Sequence, residues 1–168
     1  MLRYGAEGAA RMGELLFISM FAGVVGIVGI LSVTLKHMSE EPAERKALYR
    51  KDPEAYVLEA ARLFPSVAGM TPHVESATQE VEVAGSCGAY TMREGAEGFT
   101  ITTGPNYDPA VFDDAGAFTP GRENADRLMT WNAELRDIRD GSAPRGCPGT
   151  HLSLRVLVQA VGFFSEGM

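Results

Sequence analysis

The sequence predicts a mainly α-helical domain with small β-hairpins, and three observations support that prediction. An uncharged apolar stretch runs from Leu15 to Leu35, which is long enough for a helix of about six turns. Two later segments, 53–64 and 150–164, carry apolar residues at helical spacing. Between them, residues 66–105 contain short alternating runs that glycine turns separate, which is typical of short strands.

The composition is that of an ordinary globular protein, with 45% hydrophobic and 22% charged residues. A chain of 168 residues is long enough for one hydrophobic core. The formal net charge is −7, and no run of Lys or Arg occurs. Because phosphate binding needs a basic surface, the sequence argues against nucleic acid as a partner.

The apolar stretch Leu15–Leu35 has two interpretations. It is long enough to cross a bilayer, which takes about 20 apolar residues, and hydropathy alone favours this interpretation. No basic cluster marks either end as cytoplasmic. The alternative is a long helix buried on all sides in a helical protein. Gly23, Gly26 and Gly29 would let another backbone or a flat ligand approach it closely.

Two shorter helices follow the apolar stretch. Pro42 opens the helical pattern "PAERKALYRK", and Pro53 opens a second pattern that continues to Phe64. Pro65 ends the second helix. Within it, Glu59 and Arg62 are three residues apart, so that they lie on the same face and can pair.

The strand-like runs and the segment after them differ in character. "QEVEVAG" alternates in the β manner and "GFTITTG" is rich in β-formers. Residues 106–142 have little periodicity and many Pro, Gly, Asp and Asn, which favours an ordered irregular segment. A loop of this length is uncommon unless it has a function.

Cys147 stands immediately before the last helix and is one of two cysteines, with Cys87. No secretory signal is seen, so we do not expect a disulfide between them. The helix N-terminus and Arg145 both favour the thiolate form of Cys147. A zinc site would need further Cys or His partners at metal-binding spacing. One thiolate suits haem iron, whose porphyrin supplies four ligands, and a half-buried structural cysteine is an equally good alternative.

Three motifs together resemble one family. "PRGCPG" resembles the cysteine loop of cytochromes P450, FxxGxRxCxG; "EAAR" followed by "LFP" resembles their ExxR helix; and "NYDPAVFDDAGAFTPGR" resembles their meander. The motifs occur in the family's order and extend over nearly the whole chain. The resemblance therefore implies the C-terminal portion of the cytochrome P450 fold, as an incomplete domain, with haem b (iron-protoporphyrin IX) as cofactor.

The apolar stretch is similar to the family's central helix, which crosses the haem and reads AGx(D/E)T. Ala22 and Gly23 match, whereas Val25 and Gly26 occupy the positions of the acid and the threonine. On this resemblance a buried helix is favoured over a membrane span. The missing pair normally delivers protons during O₂ activation, which is general acid work. A peroxide or hydroperoxide is therefore expected as an alternative to O₂.

The resemblance also assigns site residues. Cys147 is implied to be the proximal iron ligand, Arg145 and His73 to bind haem propionates, and Gly149 to let the cofactor approach. Glu59, Arg62 and Arg122 are implied to form a buried ionic triad that supports the cysteine loop. Ala22 and Gly23 are implied to form the floor of the distal pocket. The chain departs from the family at three positions: Asp140 for Phe, Ala143 for Gly and Gly121 for Glu.

The expected organisation is a single partial domain over residues 1–168. Its parts are a central helix 15–38, an ExxR helix 53–64, short strands 66–105, a meander 106–142, a cysteine loop 143–150 and a last helix 150–164. The expected function is a haem-thiolate monooxygenase or peroxide-using enzyme, or a fragment of one, that oxidises or rearranges an apolar organic substrate. A redox partner or the missing N-terminal half is the expected partner, and the chain alone is expected to lack a closed pocket.

Two alternatives remain open from the sequence. The first is a single-pass membrane protein with Leu15–Leu35 in the bilayer and a small soluble interaction domain that binds no haem. The second is a P450-derived piece that has lost catalysis and binds a partner.

Overall fold

The computed structural model of the chain describes residues 6–70, 79–82, 89–98, 100–101 and 103–167. The described part contains five α-helices and four short strands. The helices are α1 (Ala6–Glu40), α2 (Pro42–Lys51), α3 (Pro53–Leu63), α4 (Leu135–Asp140) and α5 (Thr150–Glu166). The strands are β1 (Gly69–Met70), β2 (Gln79–Glu82), β3 (Ala89–Met92) and β4 (Thr100–Ile101). The mainly α-helical class with small β-hairpins is therefore confirmed.

Helix α1 is buried at one end and exposed at the other. Ile30, Thr34 and Met38 recur every four residues, so that they share one face, and all three are buried. Residues 20–25 are exposed, including Phe21 with 60% of its surface accessible. Among the described residues this end has no cover, because the other elements pack on α1 only from about Gly26 onward.

The exposed end of α1 keeps both interpretations of the apolar stretch open. By length and composition, the stretch Arg11–Glu40 could cross a membrane. Of its apolar 18-residue window, 6% is buried inside the protein. Exposed apolar surface of this kind is also typical of a contact with other polypeptide.

The chain turns sharply between α1, α2 and α3. Pro42 and Pro53 occupy the first positions of α2 and α3, where a missing N–H costs nothing. The side chain of Asp52 caps α3 by accepting a hydrogen bond from the Ala55 N–H at 2.9 Å. Tight connections of this kind fold α3 back against α1 and α2.

Helix α3 is the centre of the core. It contacts α1, α2 and α5, and every residue from Tyr56 to Leu63 is buried. Tyr49 of α2 donates a hydrogen bond to the Val158 carbonyl of α5 at 2.6 Å, which closes the helix packing on the other side. The charged pair Glu59–Arg62 therefore lies inside the best-packed part of the molecule.

Gly29 allows the segment after α3 to lie directly on α1. A Cβ at Gly29 would be only 2.7 Å from the Cβ of Ser66, which real Cβ contacts do not reach. At Gly23, by contrast, a Cβ would meet nothing within 4 Å. The close approach expected at the glycines of α1 is thus present at Gly29 and absent at Gly23 among the described residues.

An aromatic cluster around Phe118 joins the end of α1 to the irregular segment. The ring centroid of His37 is 4.3 Å from Phe118 and 5.4 Å from Phe64, and the Arg45 guanidinium lies 5.1 Å from the Phe118 ring. Burial, and then the nearby charge of Arg45, lower the pKa of His37. The folded protein therefore favours its neutral form.

The strands form two antiparallel pairs within the described residues. β1 pairs with β4, with Gly69 opposite Ile101, and β2 pairs with β3, with Gln79 opposite Met92. The short strands predicted within "QEVEVAG" and "GFTITTG" are present at Gln79–Glu82 and Thr100–Ile101. The parts of the predicted strand region at 71–78, 83–88, 99 and 102 lie outside the described residues.

The irregular segment contains one α-helix that the sequence pattern does not reveal. Short 3₁₀ turns lie at Gly104–Tyr107 and Ala125–Arg127, and α4 follows at Leu135–Asp140. Six residues are too few to display a helical period, so the expectation of an irregular chain over 106–142 is wrong at α4. Gly141 ends α4 in the left-handed conformation, with φ of 80°.

Candidate functional site

The structure brings Glu59, Arg62 and Arg122 together in one buried network. Arg62 binds both carboxylate oxygens of Glu59, with Nη2 at 2.7 Å from Oε1 and Nε at 2.9 Å from Oε2. Arg122 Nε lies 2.9 Å from the same Oε1. The side chains of Arg62, Glu59 and Arg122 are 0%, 2% and 8% exposed. All three positions that the family resemblance names thus lie in direct contact.

Both arginines also bind carbonyl groups of the irregular segment. Arg62 donates to the carbonyls of Asn106 at 2.6 Å and Ala115 at 2.7 Å. Arg122 donates to the carbonyls of Asp113, Asp114 and Ala117. The guanidinium groups therefore fix the path of residues 106–117 against α3.

The charge of Glu59 is stabilised by its donors. Burial alone would raise the pKa of Glu59, but hydrogen bonds from Arg62, from the Thr119 N–H and from Arg122 outweigh burial and leave that pKa below its usual value. A buried ion network adds little net stability compared with an apolar core, whereas removal of one partner leaves an uncompensated charge. We interpret the network as fixing geometry.

A second set of hydrogen bonds fixes the residues just before those that contact the cysteine loop. The buried Asn106 accepts from the Met129 N–H at 2.7 Å. Thr130 Oγ1 donates to the Ala61 carbonyl of α3 at 2.7 Å. Thr130 is thereby tied to α3 and Met129 to Asn106, and Trp131, the next residue, is buried in the core.

Cys147 is attached through its backbone to the frame formed by residues 129–131 and α3. Its N–H donates to the Trp131 carbonyl at 2.9 Å. Its carbonyl accepts from Thr150 Oγ1 at 2.7 Å at the start of α5. Cys147 is a free, half-buried cysteine, and Cys87 lies outside the described residues. The sulfur is thus held between the end of the irregular segment and the N-terminus of a 17-residue helix.

The residues around the sulfur leave room beside it. A Cβ at Gly149 would lie 3.7 Å from Cys147 Sγ, so any side chain there would occupy space next to the sulfur. Arg145 is exposed, and its side chain has no hydrogen-bond or ion-pair partner in the described part of the chain. Its charge is therefore available to an anionic group near the loop.

The donor set fits haem better than a metal ion held by protein alone. The described residues contain no group of three or more His, Cys, Asp or Glu that could hold a metal ion. A single thiolate is enough for haem iron, because the porphyrin supplies the other in-plane ligands. Cys147, with open space beside Gly149 and a free cation at Arg145, matches that requirement.

The remaining predicted site residues are not assembled around Cys147. Ala22 and Gly23 lie on the exposed end of α1, where a Cβ at Gly23 would meet only open space. His73 lies outside the described residues. The described residues therefore assemble the surroundings of Cys147, and they do not bring Ala22 and Gly23 to it.

Sequence reasoning missed Trp131, whose carbonyl accepts from the Cys147 N–H, and Asn132, whose amide donates to the Arg145 carbonyl. It also missed Asn106 and Thr130, which hold the chain just before Trp131. Trp131 acts through its carbonyl, and backbone hydrogen bonds leave no side-chain pattern in a sequence. Asn106 stands at the start of the irregular segment, and that position was the one available signal for it.

Comparisons with known proteins were made by family model, by sequence and by structure. No family model matches the chain. The chain is 32% identical over 107 residues to (+)-piperitol/(+)-sesamin synthase CYP81Q2 of Sesamum radiatum. The match covers 63% of this chain and 19% of that relative.

Three solved structures match a larger share of the chain than this relative does. CYP109E1 from Bacillus megaterium, solved with corticosterone, matches with a TM-score of 0.68 at 18% identity, over 97% of this chain and 39% of its own. Cytochrome P450-153 from Novosphingobium aromaticivorans matches with a TM-score of 0.67 at 18% identity, over 89% and 35%. The CYP116B5 heme domain from Acinetobacter radioresistens matches with a TM-score of 0.59 at 20% identity, over 82% and 30%. The chain thus spans about a third of the length of these structures.

Proposed function

Because this chain has the fold of the C-terminal part of cytochromes P450, we propose that it supplies the proximal half of a haem-thiolate centre. In this proposal Cys147 binds the iron of haem b. The observation that supports it is the position of Cys147, which is tied by its N–H to Trp131 and stands free at the N-terminus of α5. Bound haem would supply the oxidising chemistry of a monooxygenase or of a peroxide-using enzyme.

The chain's own residues then have defined tasks. Cys147 supplies the sulfur ligand from its position at the N-terminus of α5. Arg145 pairs with a haem propionate, and His73 is proposed as a second propionate contact. Gly149 keeps side chains away from the sulfur. The network of Glu59, Arg62 and Arg122 keeps the frame of the loop in place.

The distal side favours a peroxide or hydroperoxide over O₂. Val25 and Gly26 stand where an acid and a hydroxyl would hold a proton, and neither side chain can donate or accept one. Ala22 and Gly23 then serve as an apolar floor against which substrate packs. An apolar small molecule fits this lining best, because α1 offers valine and phenylalanine side chains there.

The pocket needs more protein than the described elements provide. Exposed large apolar residues follow α1 from Met12 to Val28 and also lie on α5, at Leu152, Val156 and Phe163. Contiguous exposed apolar surface of this kind marks an interaction site. We propose that further P450-type polypeptide covers this apolar surface. If O₂ is used in place of a peroxide, a redox partner supplies the electrons.

The spectrum of the full chain tests the proposal. The chain would be reconstituted with haem, reduced and exposed to carbon monoxide. The expected result is a Soret band at the position typical of thiolate-ligated ferrous–CO haem, lost in Cys147→Ala and kept in the control Cys87→Ala. Failure of the wild-type chain to take up haem, or an unchanged band in Cys147→Ala, would contradict the proposal.

A single-pass membrane protein is the second candidate function, and the exposed apolar window of α1 favours it. In that case Leu15–Leu35 lies in the bilayer and the remaining chain is a haem-free interaction module. Flotation of the purified chain with phosphatidylcholine vesicles in high salt would support this candidate. A chain that stays in the aqueous fraction and takes up haem would rule it out.

A further inference from the structure

We propose that Asn132 is a positioning residue for Cys147, holding the cysteine loop through its left-handed backbone and its side-chain amide. The inference rests on the proposed role of Cys147 as iron ligand. Asn132 is not part of the three motifs that resemble the family, and it acts on Cys147 without touching the sulfur.

Asn132 has an unusual backbone conformation. Its φ is 67°, and among the described residues only Asp114 is another non-glycine with positive φ. Asparagine tolerates this region better than most L-residues, because its short polar side chain bonds locally. Strained conformations persist where the surroundings fix them, and they occur often at functional sites.

Trp131 and Asn132 bind residues 145–147 through two hydrogen bonds. The Trp131 carbonyl accepts from the Cys147 N–H at 2.9 Å. The Asn132 amide Nδ2 donates to the Arg145 carbonyl at 2.8 Å. Because the two gripping residues are consecutive, the turn at Asn132 sets the spacing between both contacts.

Gly146, which lies between the two bound residues, packs closely against Ile138 of α4. A Cβ at Gly146 would lie 2.7 Å from Ile138 Cγ1 and 3.2 Å from Ala143 Cβ, so a larger residue would force Ile138 to shift. Asn132 lies three residues before α4 begins at Leu135. The same turn therefore places the carbonyl that binds Cys147 and the helix on which Gly146 lies.

The amide of Asn132 is exposed, and its hydrogen bond competes with water. Its contribution to the unfolding equilibrium is therefore expected to be small. Its effect on the cysteine loop is direct, since it fixes the carbonyl two residues before Cys147. Cysteine reactivity and overall stability should consequently respond differently to its removal.

Thiol alkylation of the full chain separates these two effects. In a Cys87→Ser background, only Cys147 reacts with iodoacetamide. Asn132→Gly removes the amide and still allows the positive φ. Asn132→Ala removes the amide and also disfavours the positive φ. We expect Asn132→Gly to raise the alkylation rate about three- to ten-fold, the population shift that corresponds to one lost hydrogen bond, with little change in the urea midpoint. Asn132→Ala should raise the rate further if it folds, and Asn132→Gly decides the test if it does not.

Asn124→Gly is the matched control. Asn124 also donates its side-chain amide to a backbone carbonyl, that of Val111, but in a part of the irregular segment that does not bind the cysteine loop. Its alkylation rate should equal that of the background protein. Equal rates in Asn132→Gly and Asn124→Gly, whether raised or unchanged, would overturn the inference. The assay needs no haem, so failure of haem uptake would count against the proposed function alone.

Discussion

Two helices of this molecule invert the relation between hydropathy and burial. The most apolar part of the chain, at residues 15–25 of α1, is exposed over the positions that the structure describes. The core of α3 contains Glu59 and Arg62, and every residue from Tyr56 to Leu63 is buried. Apolar sequence alone therefore does not locate the core, because the buried helix α3 contains a satisfied charge network.

The difference has a physical cause in the partners that each helix has. Helix α3 packs against α1, α2 and α5, and the carbonyls of residues 106–117 accept the hydrogen bonds of Arg62 and Arg122. The exposed end of α1 has no such cover from the described elements. Substitutions at matched positions in the two regions should therefore have very different effects.

The largest effect is expected for Arg62→Ala, compared with Arg139→Ala. Arg62→Ala leaves the carboxylate of Glu59 buried with a lost partner, which costs about 3–5 kcal/mol of unfolding free energy. Arg139 pairs with Glu54 at 2.7 Å on the surface, and loss of that pair costs about 0–1 kcal/mol. Urea unfolding followed by circular dichroism measures both values. Similar costs for the two variants would refute the claim that the buried network around Glu59 differs in energy from a surface ion pair.

The next effect separates two glycines on one helix. Gly29→Ala places a Cβ against Ser66 and should cost about 1–3 kcal/mol, the usual range for overpacking. Gly23→Ala meets open space and should stabilise by about 0.5–1 kcal/mol, because alanine favours the helix. Thermal unfolding measures both. Ser66→Gly should recover part of the loss at Gly29, and equal shifts at the two glycines would show that α1 is not packed as described.

A smaller effect is expected from pH at the junction between α1 and Phe118. Folding lowers the pKa of His37, so below about pH 6.5 the unfolded chain takes up a proton that the folded chain does not. The contribution of His37 to the unfolding free energy should be complete above that pH and should be lost as the pH falls toward the lowered pKa. His37→Gln should flatten the profile between about pH 7.5 and 5.5. An unchanged slope in His37→Gln would mean that another group causes the dependence.

The smallest effect on stability is expected at the exposed end of α1. Phe21→Ser and Val25→Ser should change the unfolding free energy by less than about 0.5 kcal/mol, because both side chains are exposed. A large loss of stability would show that these residues are packed in the free chain.

The sequence predicts the parts of the site that side chains define. The spacing of Glu59 and Arg62 indicated a shared face, and the motif order indicated the cysteine loop and the part of the fold to which it belongs. Helix α4 escaped prediction because six residues carry no period. The grip of Trp131 and Asn132 on the loop escaped it because a backbone carbonyl and a left-handed turn depend on tertiary contacts that no local pattern encodes.

Amide hydrogen exchange at Cys147 tests most directly whether the buried frame positions the cysteine. The Cys147 N–H is bound to the Trp131 carbonyl, whose neighbours are tied to α3. We predict that this amide exchanges with the same opening free energy as core amides of α3, such as that of Ala61, since both are released only when the packing of residues 129–131 against α3 is lost. Exchange of Cys147 at the rate of an unprotected peptide, while the α3 amides remain protected, would contradict it.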